Sequence, residues 1–106
     1  MFHKIKNVEA LYNYILKIIF QDDTVKYYDV SKLFDKWIVF QDLKNINGLF
    51  EQVKVDQGGY GISWNDKLDL ACNELWENGY IDYNEDEHYN TGEMMVAEES
   101  EEYKFE

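Results

Sequence analysis

The sequence predicts an α+β fold: a small antiparallel β-sheet, made of a three-strand meander and a second hairpin, with short helices packed on one face. Apolar residues alternate with polar ones in two separate regions, and each region is followed by apolar residues three and four positions apart. The first pattern is typical of strands with one buried face and the second of helices. At 106 residues, 45% hydrophobic and 17% aromatic, the chain fits one domain with a packed core.

The first strands are predicted from alternation. From Tyr12 to Phe20 every second residue is apolar or aromatic, which predicts one long strand. Turn-type residues follow, and Thr24–Val30 is rich in β-branched and aromatic side chains, so we expect a hairpin. A shorter strand around His3–Glu9 completes an antiparallel meander, with residues 7–11 as the bend.

A change of period after the meander predicts an amphipathic helix of about two turns. Asp29 or Ser31 can cap its first turn. Residues 40–50 keep regularly spaced apolar residues but contain asparagine and glycine, so we expect short helical turns packed on the sheet. The apolar face of the helix consists of Val30, Leu33, Phe34 and Trp37.

The second hairpin is predicted between Val53–Val55 and Tyr60–Trp64, two segments in which apolar and polar or small residues alternate. Gln57-Gly58-Gly59 is expected to form the turn, because glycine reaches the positive φ that tight hairpin turns require. The side chains expected to face the core are Tyr60, Ile62 and Trp64.

The last helix is predicted from an apolar stripe and a stop signal. Asn78-Gly79 is a conventional end for a helix. After it, Tyr80–Tyr83 has the composition of one more short edge strand. The apolar stripe consists of Leu68, Ala71, Cys72, Leu75 and Trp76.

The net charge of −12 is concentrated at one end of the chain. Residues 82–106 contain ten acids and one lysine, whereas residues 1–81 contain twelve acids and nine lysines. We therefore expect one domain over residues 1–81 and an acidic tail over residues 82–106 that is flexible or ordered by a partner. The sequence contains no arginine, which disfavours direct binding of nucleic acid and favours a protein partner with a basic surface.

Cellular location is predicted from what the sequence lacks. A single cysteine allows no internal disulfide, the N-terminal residues have no apolar signal-peptide core, and no apolar run approaches the length of a membrane span. These features predict a cytoplasmic protein without a membrane partner. They leave the oligomeric state open.

Four groups of residues can be weighed as chemical sites, and each has a simpler structural explanation. Cys72 lies on an apolar stripe, which favours a buried cysteine over a nucleophile. Glycines 58, 59 and 61 precede a strand pattern, which favours a turn over a phosphate loop. Asp66 and Asp69 fit helix capping, and the run Glu85–His88 offers a metal no fixed geometry. We predict no catalytic residue, no metal ligand and no cofactor.

Several short motifs recur along the two predicted hairpins and the segments beside them. They are Phe20, Asp22 and Asp23 at the first hairpin, Tyr28-Asp29-Val30, Leu49-Phe50, Val53-Lys54-Val55-Asp56, Gly61-Ile62-Ser63-Trp64-Asn65 and Leu68-Asp69-Leu70. This set of motifs resembles a small bacterial domain of unknown function, number two-four-four-two in its naming series, over about residues 3–79. Members usually have a Phe-x-Asp-Gly turn, whereas Asp23 stands at the glycine position here.

The resemblance implies an α+β fold with a small antiparallel sheet. Such domains occur alone, joined to helix-turn-helix regulators, or encoded beside a second small protein in arrangements that look like toxin–antitoxin pairs. The family has no attributed catalytic residues, so the resemblance supplies none for this chain.

Together these observations predict a non-enzymatic, antitoxin-like module that binds and restrains a small partner protein. The alternative is an acidic mimic of nucleic acid that inhibits a defence nuclease of the restriction or CRISPR type. In either case we expect the partner to contact the junction of domain and tail. The predicted partner-binding residues are Tyr80, Tyr83, Glu85, Asp86, Glu87, Glu98, Glu99, Glu101, Glu102, Tyr103 and Phe105.

Overall fold

Two three-stranded antiparallel sheets and a few short helices form the fold, which confirms the predicted α+β class. The computed structural model describes residues 2–82. The first sheet has the order β1-β2-β3 and the second β4-β5-β6. The elements are β1 (Ile5–Ala10), β2 (Ile15–Phe20), β3 (Val25–Asp29), α1 (Asp42–Asn45), β4 (Lys54–Val55), β5 (Gly61–Asn65), β6 (Leu68–Ala71) and α2 (Cys72–Asn78), with 3-10 turns at Tyr12–Tyr14, Val30–Leu33, Ile38–Gln41, Phe50–Gln52 and Gln57–Gly59.

The first sheet is the predicted meander, with β2 at its centre. The prediction that the second strand starts at Tyr12 is wrong, because a 3-10 turn occupies Tyr12–Tyr14 and the strand begins at Ile15. Ala10 pairs with Leu16, so the intervening residues must reverse the chain. Asn13 and Tyr14 do so at φ 62° and 61°, in the left-handed region, which asparagine tolerates well.

The helix predicted after the meander is a single 3-10 turn, Val30–Leu33. Asp29 caps it, since its carboxylate accepts hydrogen bonds from the Ser31 backbone N–H at 3.0 Å and hydroxyl at 2.6 Å. The expected second turn is absent because Trp37 is extended, at φ −131°, and lies on the surface. The short helical turns expected over residues 40–50 are confirmed by the turns on either side of α1.

The second hairpin is confirmed, with β4 and β5 joined through the Gln57–Gly59 turn. Tyr60, which we expected to face the core, precedes β5 and is half exposed. It lies in the turn rather than the strand, where its ring contacts the ring of Phe2 edge-on at 5.4 Å between centroids. Ile62 and Trp64 are buried, as predicted.

The helix predicted from Leu68 begins later, at Cys72, because Leu68–Ala71 forms the third strand of the second sheet. The side chain of Asn65 accepts hydrogen bonds from the backbone N–H groups of Lys67 and Leu68, which closes a turn and returns the chain against β5. The predicted helix end is confirmed, since the Gly79 N–H donates to the Leu75 carbonyl.

The core lies between the two sheets and the short helices. Sheet residues, the turns over residues 30–50 and the inner side of α2 all contribute to it. None of the helices described between residues 2 and 82 is long and apolar enough to cross a bilayer. The core cluster consists of Ile5, Leu16, Ile18, Phe20, Tyr28, Val30, Leu33, Phe34, Phe40, Leu43, Leu49, Phe50, Ile62, Trp64, Leu68, Cys72 and Leu75.

Candidate interaction surface

Among the predicted partner-binding residues, Tyr80 lies at the outer edge of the first sheet. Its backbone pairs with Tyr27 of β3 through two hydrogen bonds of 2.7 and 2.8 Å, and its side chain is 42% exposed. The edge strand expected over Tyr80–Tyr83 is thus observed as a single bridge in the described part of the chain. The predicted residues that lie outside the described part are Tyr83, Glu85, Asp86, Glu87, Glu98, Glu99, Glu101, Glu102, Tyr103 and Phe105.

The end of α2 is held against this edge through Trp76. The Lys26 ammonium donates to the Trp76 carbonyl at 2.6 Å and lies 4.1 Å from the centre of its indole ring. The His3 ring stacks on the same indole at 3.6 Å, and Phe20 meets it edge-on at 4.8 Å. These contacts tie the N-terminal residues, β3 and α2 together, and so fix where Tyr80 leaves the domain.

Three consecutive apolar side chains project into solvent from the segment that connects the two sheets. Trp37 is 60% exposed, Ile38 81% and Val39 36%, and we call this segment the apolar turn. The Trp37 N–H donates to the Leu33 carbonyl at 2.9 Å, and the Trp37 carbonyl accepts from the Phe40 N–H at 2.9 Å. The apolar turn is therefore held in place by backbone hydrogen bonds at both ends.

Buried phenylalanines anchor the apolar turn to the core. Phe34 and Phe40, on either side of it, both belong to the core cluster. The Gln41 side-chain amide donates to the Phe34 carbonyl at 2.9 Å, which closes the loop across its base. A tryptophan held exposed on a fixed backbone is the kind of residue that dominates protein–protein interfaces.

Sequence reasoning placed Trp37 on a buried helical face and so missed the apolar turn. A usable signal was present, because Trp37–Phe40 is a run of four apolar residues with neither the two-residue nor the 3.6-residue period. A short segment that follows neither period cannot bury all its side chains on one face.

At least five carboxylates of the described part have specific partners within the domain. Tyr28 donates its hydroxyl proton to Glu74 at 2.7 Å, and Ser63 donates to Asp56 at 2.7 Å. Lys6 pairs with Asp23 at 2.8 Å on the surface, where such a pair contributes little to stability. These groups support turns, a cap and one contact between sheet and helix. The five residues are Asp22, Asp23, Asp29, Asp56 and Glu74.

The contact between Tyr28 and Glu74 joins β3 to α2. Burial of the Tyr28 phenol raises its pKa, and the hydrogen bond to the Glu74 carboxylate raises it further, because both favour the neutral phenol. The folded protein therefore holds the Tyr28 proton more tightly than the unfolded chain, whose tyrosines titrate near pH 10. Stability from this difference is complete below about pH 10 and is lost as the pH rises from there through the folded pKa.

We expect Tyr28→Phe to lower the free energy of unfolding at pH 7 by about 1.5 kcal/mol, since a hydrogen bond to a charged group is lost. The difference in free energy of unfolding between wild type and variant becomes smaller above about pH 10, because only the wild type then loses the stabilising contribution of Tyr28. Urea unfolding at pH 7 and at pH 10 to 12 measures both effects. Tyr12→Phe, at an exposed tyrosine, is the control and is expected to leave stability unchanged at every pH. If the free energies of unfolding of wild type and Tyr28→Phe differ by the same amount at every pH, the prediction is contradicted.

The other chemical candidates of the described part lie in the core, in turns or in a strand, and the run Glu85–His88 lies outside that part. Cys72 is buried, as expected, and its thiol lies 3.9 Å from the Asn73 amide oxygen. The glycine-rich run turns a hairpin. Asp66 and Asp69 lie in a turn and in β6 rather than on a helix, which corrects their predicted setting. Between residues 2 and 82, no three acidic, histidine or cysteine side chains are grouped as a metal would need.

A shallow cleft of about 290 Å³ opens beside the first hairpin turn. Its acidic residue, Asp22, is engaged in the turn itself, since its carboxylate accepts from the Thr24 backbone N–H at 3.0 Å. This hydrogen bond lowers the pKa of Asp22. The carboxylate thus stabilises the turn next to the cleft. The cleft is lined by Phe2, His3, Lys4, Phe20, Gln21 and Asp22.

Comparison with known proteins places the chain in one family. Curated proteins and solved structures gave no significant match. A family model described as "Protein of unknown function (DUF2442)" matches residues 5–80, which include both sheets and α2. The match agrees with the resemblance found in the short motifs of the sequence, and the chain belongs to this family of proteins of unknown function.

Proposed function

We propose that the chain is a non-enzymatic protein-interaction module, antitoxin-like in its role, which binds and restrains a small partner protein. The apolar turn is the observation that carries the proposal. Trp37 and Ile38 stay exposed although burying them would be favourable by about 2 kcal/mol each. A partner that covers them gains this free energy.

The apolar turn is preorganised for binding, because its conformation is already fixed in the free protein. Its backbone is held at both ends and its flanking phenylalanines are buried, so little conformational entropy is lost when a partner docks. The acidic tail, −9 over residues 82–106, adds long-range attraction for a partner with a basic surface. In this proposal, the turn supplies the affinity and the tail raises the rate of association.

The test is co-expression with the product of the neighbouring gene. We expect the two proteins to co-purify, and the chain to restore growth where the neighbour arrests it. The double variant Trp37→Ala/Ile38→Ala should weaken the complex by at least about 30-fold in Kd, which corresponds to about 2 kcal/mol, the gain from burying only one of the two side chains. Isothermal titration calorimetry measures the change.

Tyr60→Ala is the matched control, because it removes another half-exposed aromatic ring from a different turn. It should leave the Kd within a few-fold of wild type. Urea unfolding should show that the double variant is as stable as the wild type, since both substituted side chains lie mainly in solvent. Absence of a complex together with absence of growth rescue overturns the function, and an unchanged Kd for the double variant overturns the role of the apolar turn.

Salt dependence separates this proposal from a mimic of nucleic acid. A mimic needs solvent-facing carboxylates spaced like phosphates, whereas those of Asp29, Asp56 and Glu74 accept part-buried hydrogen bonds within the domain. Binding through the apolar turn should lose only a few-fold in affinity between about 50 and 500 mM salt, because screening of the tail slows association but leaves dissociation unchanged. A mimic would instead bind the nucleic-acid groove of its partner, and its affinity should fall steeply as the salt concentration rises.

A further inference from the structure

Consecutive residues of β3 are both buried, although side chains in a strand alternate between two faces. Tyr27 is 1% exposed and Tyr28 4%. Tyr28 belongs to the core cluster, whereas Tyr27 is the only buried apolar residue of the described part that lies outside it. Both faces of the first sheet are therefore covered at this position.

The register of the sheet identifies the second covered face. Tyr28 pairs with Leu16 and points to the core, so Tyr27 and its cross-strand neighbour Lys17 point the other way. The half-buried side chains of Ile15, Ile19 and Val25 share that direction by alternation. We call these apolar residues, with Tyr27, the outer face.

An apolar outer face is unusual for a small antiparallel sheet, since such sheets commonly bury one side and leave a polar one in water. Here four apolar residues share the side away from the core with Lys17 and, by the same register, with Asn7, Glu9 and Asp29. Burying the apolar residues requires a cover that contributes its own apolar groups.

The chain itself leads to this face. Tyr80 pairs with Tyr27, and paired residues on neighbouring strands point to the same side, so the Tyr80 ring lies on the outer face at 5.9 Å from the Tyr27 ring. The residues after Asp82 thus start at the border of the outer face. An extended chain advances about 3.3 Å per residue and strands lie about 4.8 Å apart, so a few residues suffice to cross the sheet.

We propose that the outer face is the docking surface for this chain's own acidic segment, residues 83–106. That segment contains the apolar residues that a cover for the outer face must contribute. Met94, Met95 and Val96 supply one group and Tyr103 and Phe105 another. The outer face is a different surface from the apolar turn, and the test of this inference needs no partner protein, so it can fail while the proposed function holds.

The test uses the full-length chain with a nitroxide spin label at Ser100→Cys. Cys72 is buried, so the introduced thiol is the one that reacts, and mass spectrometry of the labelled wild type checks this. In ¹H–¹⁵N spectra, the amides of Ile19, Val25 and Tyr27 should lose most of their peak intensity. Those of the Asp66-Lys67 turn, in the second sheet, should keep theirs. Thr91→Cys provides a second labelling position.

A matched variant replaces Met95, Val96, Tyr103 and Phe105 by serine, outside the described domain and with the charge unchanged. We expect it to restore the intensities of the outer-face amides. The proposal is overturned if the peaks of the outer-face amides remain weak in this variant, or if neither labelled chain weakens them. The outer face would then be a surface for a partner protein. Mixing labelled ¹⁴N chain with unlabelled ¹⁵N chain detects a second copy, and loss of intensity in that mixture also overturns the proposal.

Discussion

Trp64→Ala is expected to lower the free energy of unfolding by about 3–5 kcal/mol, the usual cost of removing a buried aromatic side chain. Trp64 lies on β5 among core residues and is almost fully buried. Its indole N–H donates to the Phe50 carbonyl at 3.0 Å, and its ring lies 6.2 Å from that of Phe40 and 6.4 Å from that of Phe50. The substitution leaves a cavity and removes the hydrogen-bond donor of a buried carbonyl.

The loss is large compared with the stability of a domain of this size, roughly 5–10 kcal/mol. Urea unfolding followed by far-ultraviolet circular dichroism measures it. Trp64→Phe keeps an aromatic ring but not the hydrogen-bond donor, so its free energy of unfolding should lie between those of the wild type and Trp64→Ala. This variant can still be measured if the alanine variant does not fold. Trp37→Ala makes the same change in solvent and should cost less than about 0.5 kcal/mol. Equal costs for Trp64→Ala and Trp37→Ala contradict the assignment of one to the core and the other to the surface.

The Trp64 substitution also bears on the binding that we propose for the apolar turn. Trp64 contacts Phe40, the buried residue that anchors one end of the apolar turn. Loosening that anchor should weaken the partner complex, even though Trp64 itself is buried. The effect on Kd should be smaller than that of Trp37→Ala/Ile38→Ala, because the exposed side chains remain.

Gly59→Ala is expected to lower the free energy of unfolding by about 2–4 kcal/mol, from a strained backbone angle and a steric clash together. Gly59 has φ +82°, which L-residues rarely adopt. A Cβ atom there would lie 2.6 Å from the Ile5 carbonyl oxygen and 3.0 Å from the Ile5 nitrogen. Both are backbone atoms of β1, so the two sheets must separate to admit the methyl group.

Gly48→Ala isolates the contribution of the backbone angle. Gly48 has φ +85°, nearly the same angle, but a Cβ atom there would have no neighbouring atom within 4 Å. Gly48→Ala should therefore lower the free energy of unfolding only by the cost of the unfavourable backbone angle, about 1 kcal/mol. Thermal or urea unfolding of the two variants under the same conditions gives the comparison. A loss at Gly59 no larger than that at Gly48 would show that the turn does not pack on β1 as described.

Much of the fold was predictable, because alternation reports burial on one face directly. Leu16, Ile18 and Phe20 alternate and all face the core, and the two hairpins follow from the turn residues between their strands. The candidate site was less predictable. Tyr80 was identified at the domain border, but the apolar turn was missed because Trp37 has helical spacing from Leu33 without being buried beside it.

Sequence patterns alone were enough to predict the α+β class, the meander, the second hairpin, the end of the last helix at Gly79 and the family. The start of that helix depends on packing between segments, since Leu68 and Leu75 have helical spacing although one lies in β6 and the other in α2. Tertiary structure also decided which aromatic side chains are exposed. Local periodicity describes one segment at a time, whereas the burial of Trp37, Tyr60 and Tyr27 depends on which other segments pack beside them.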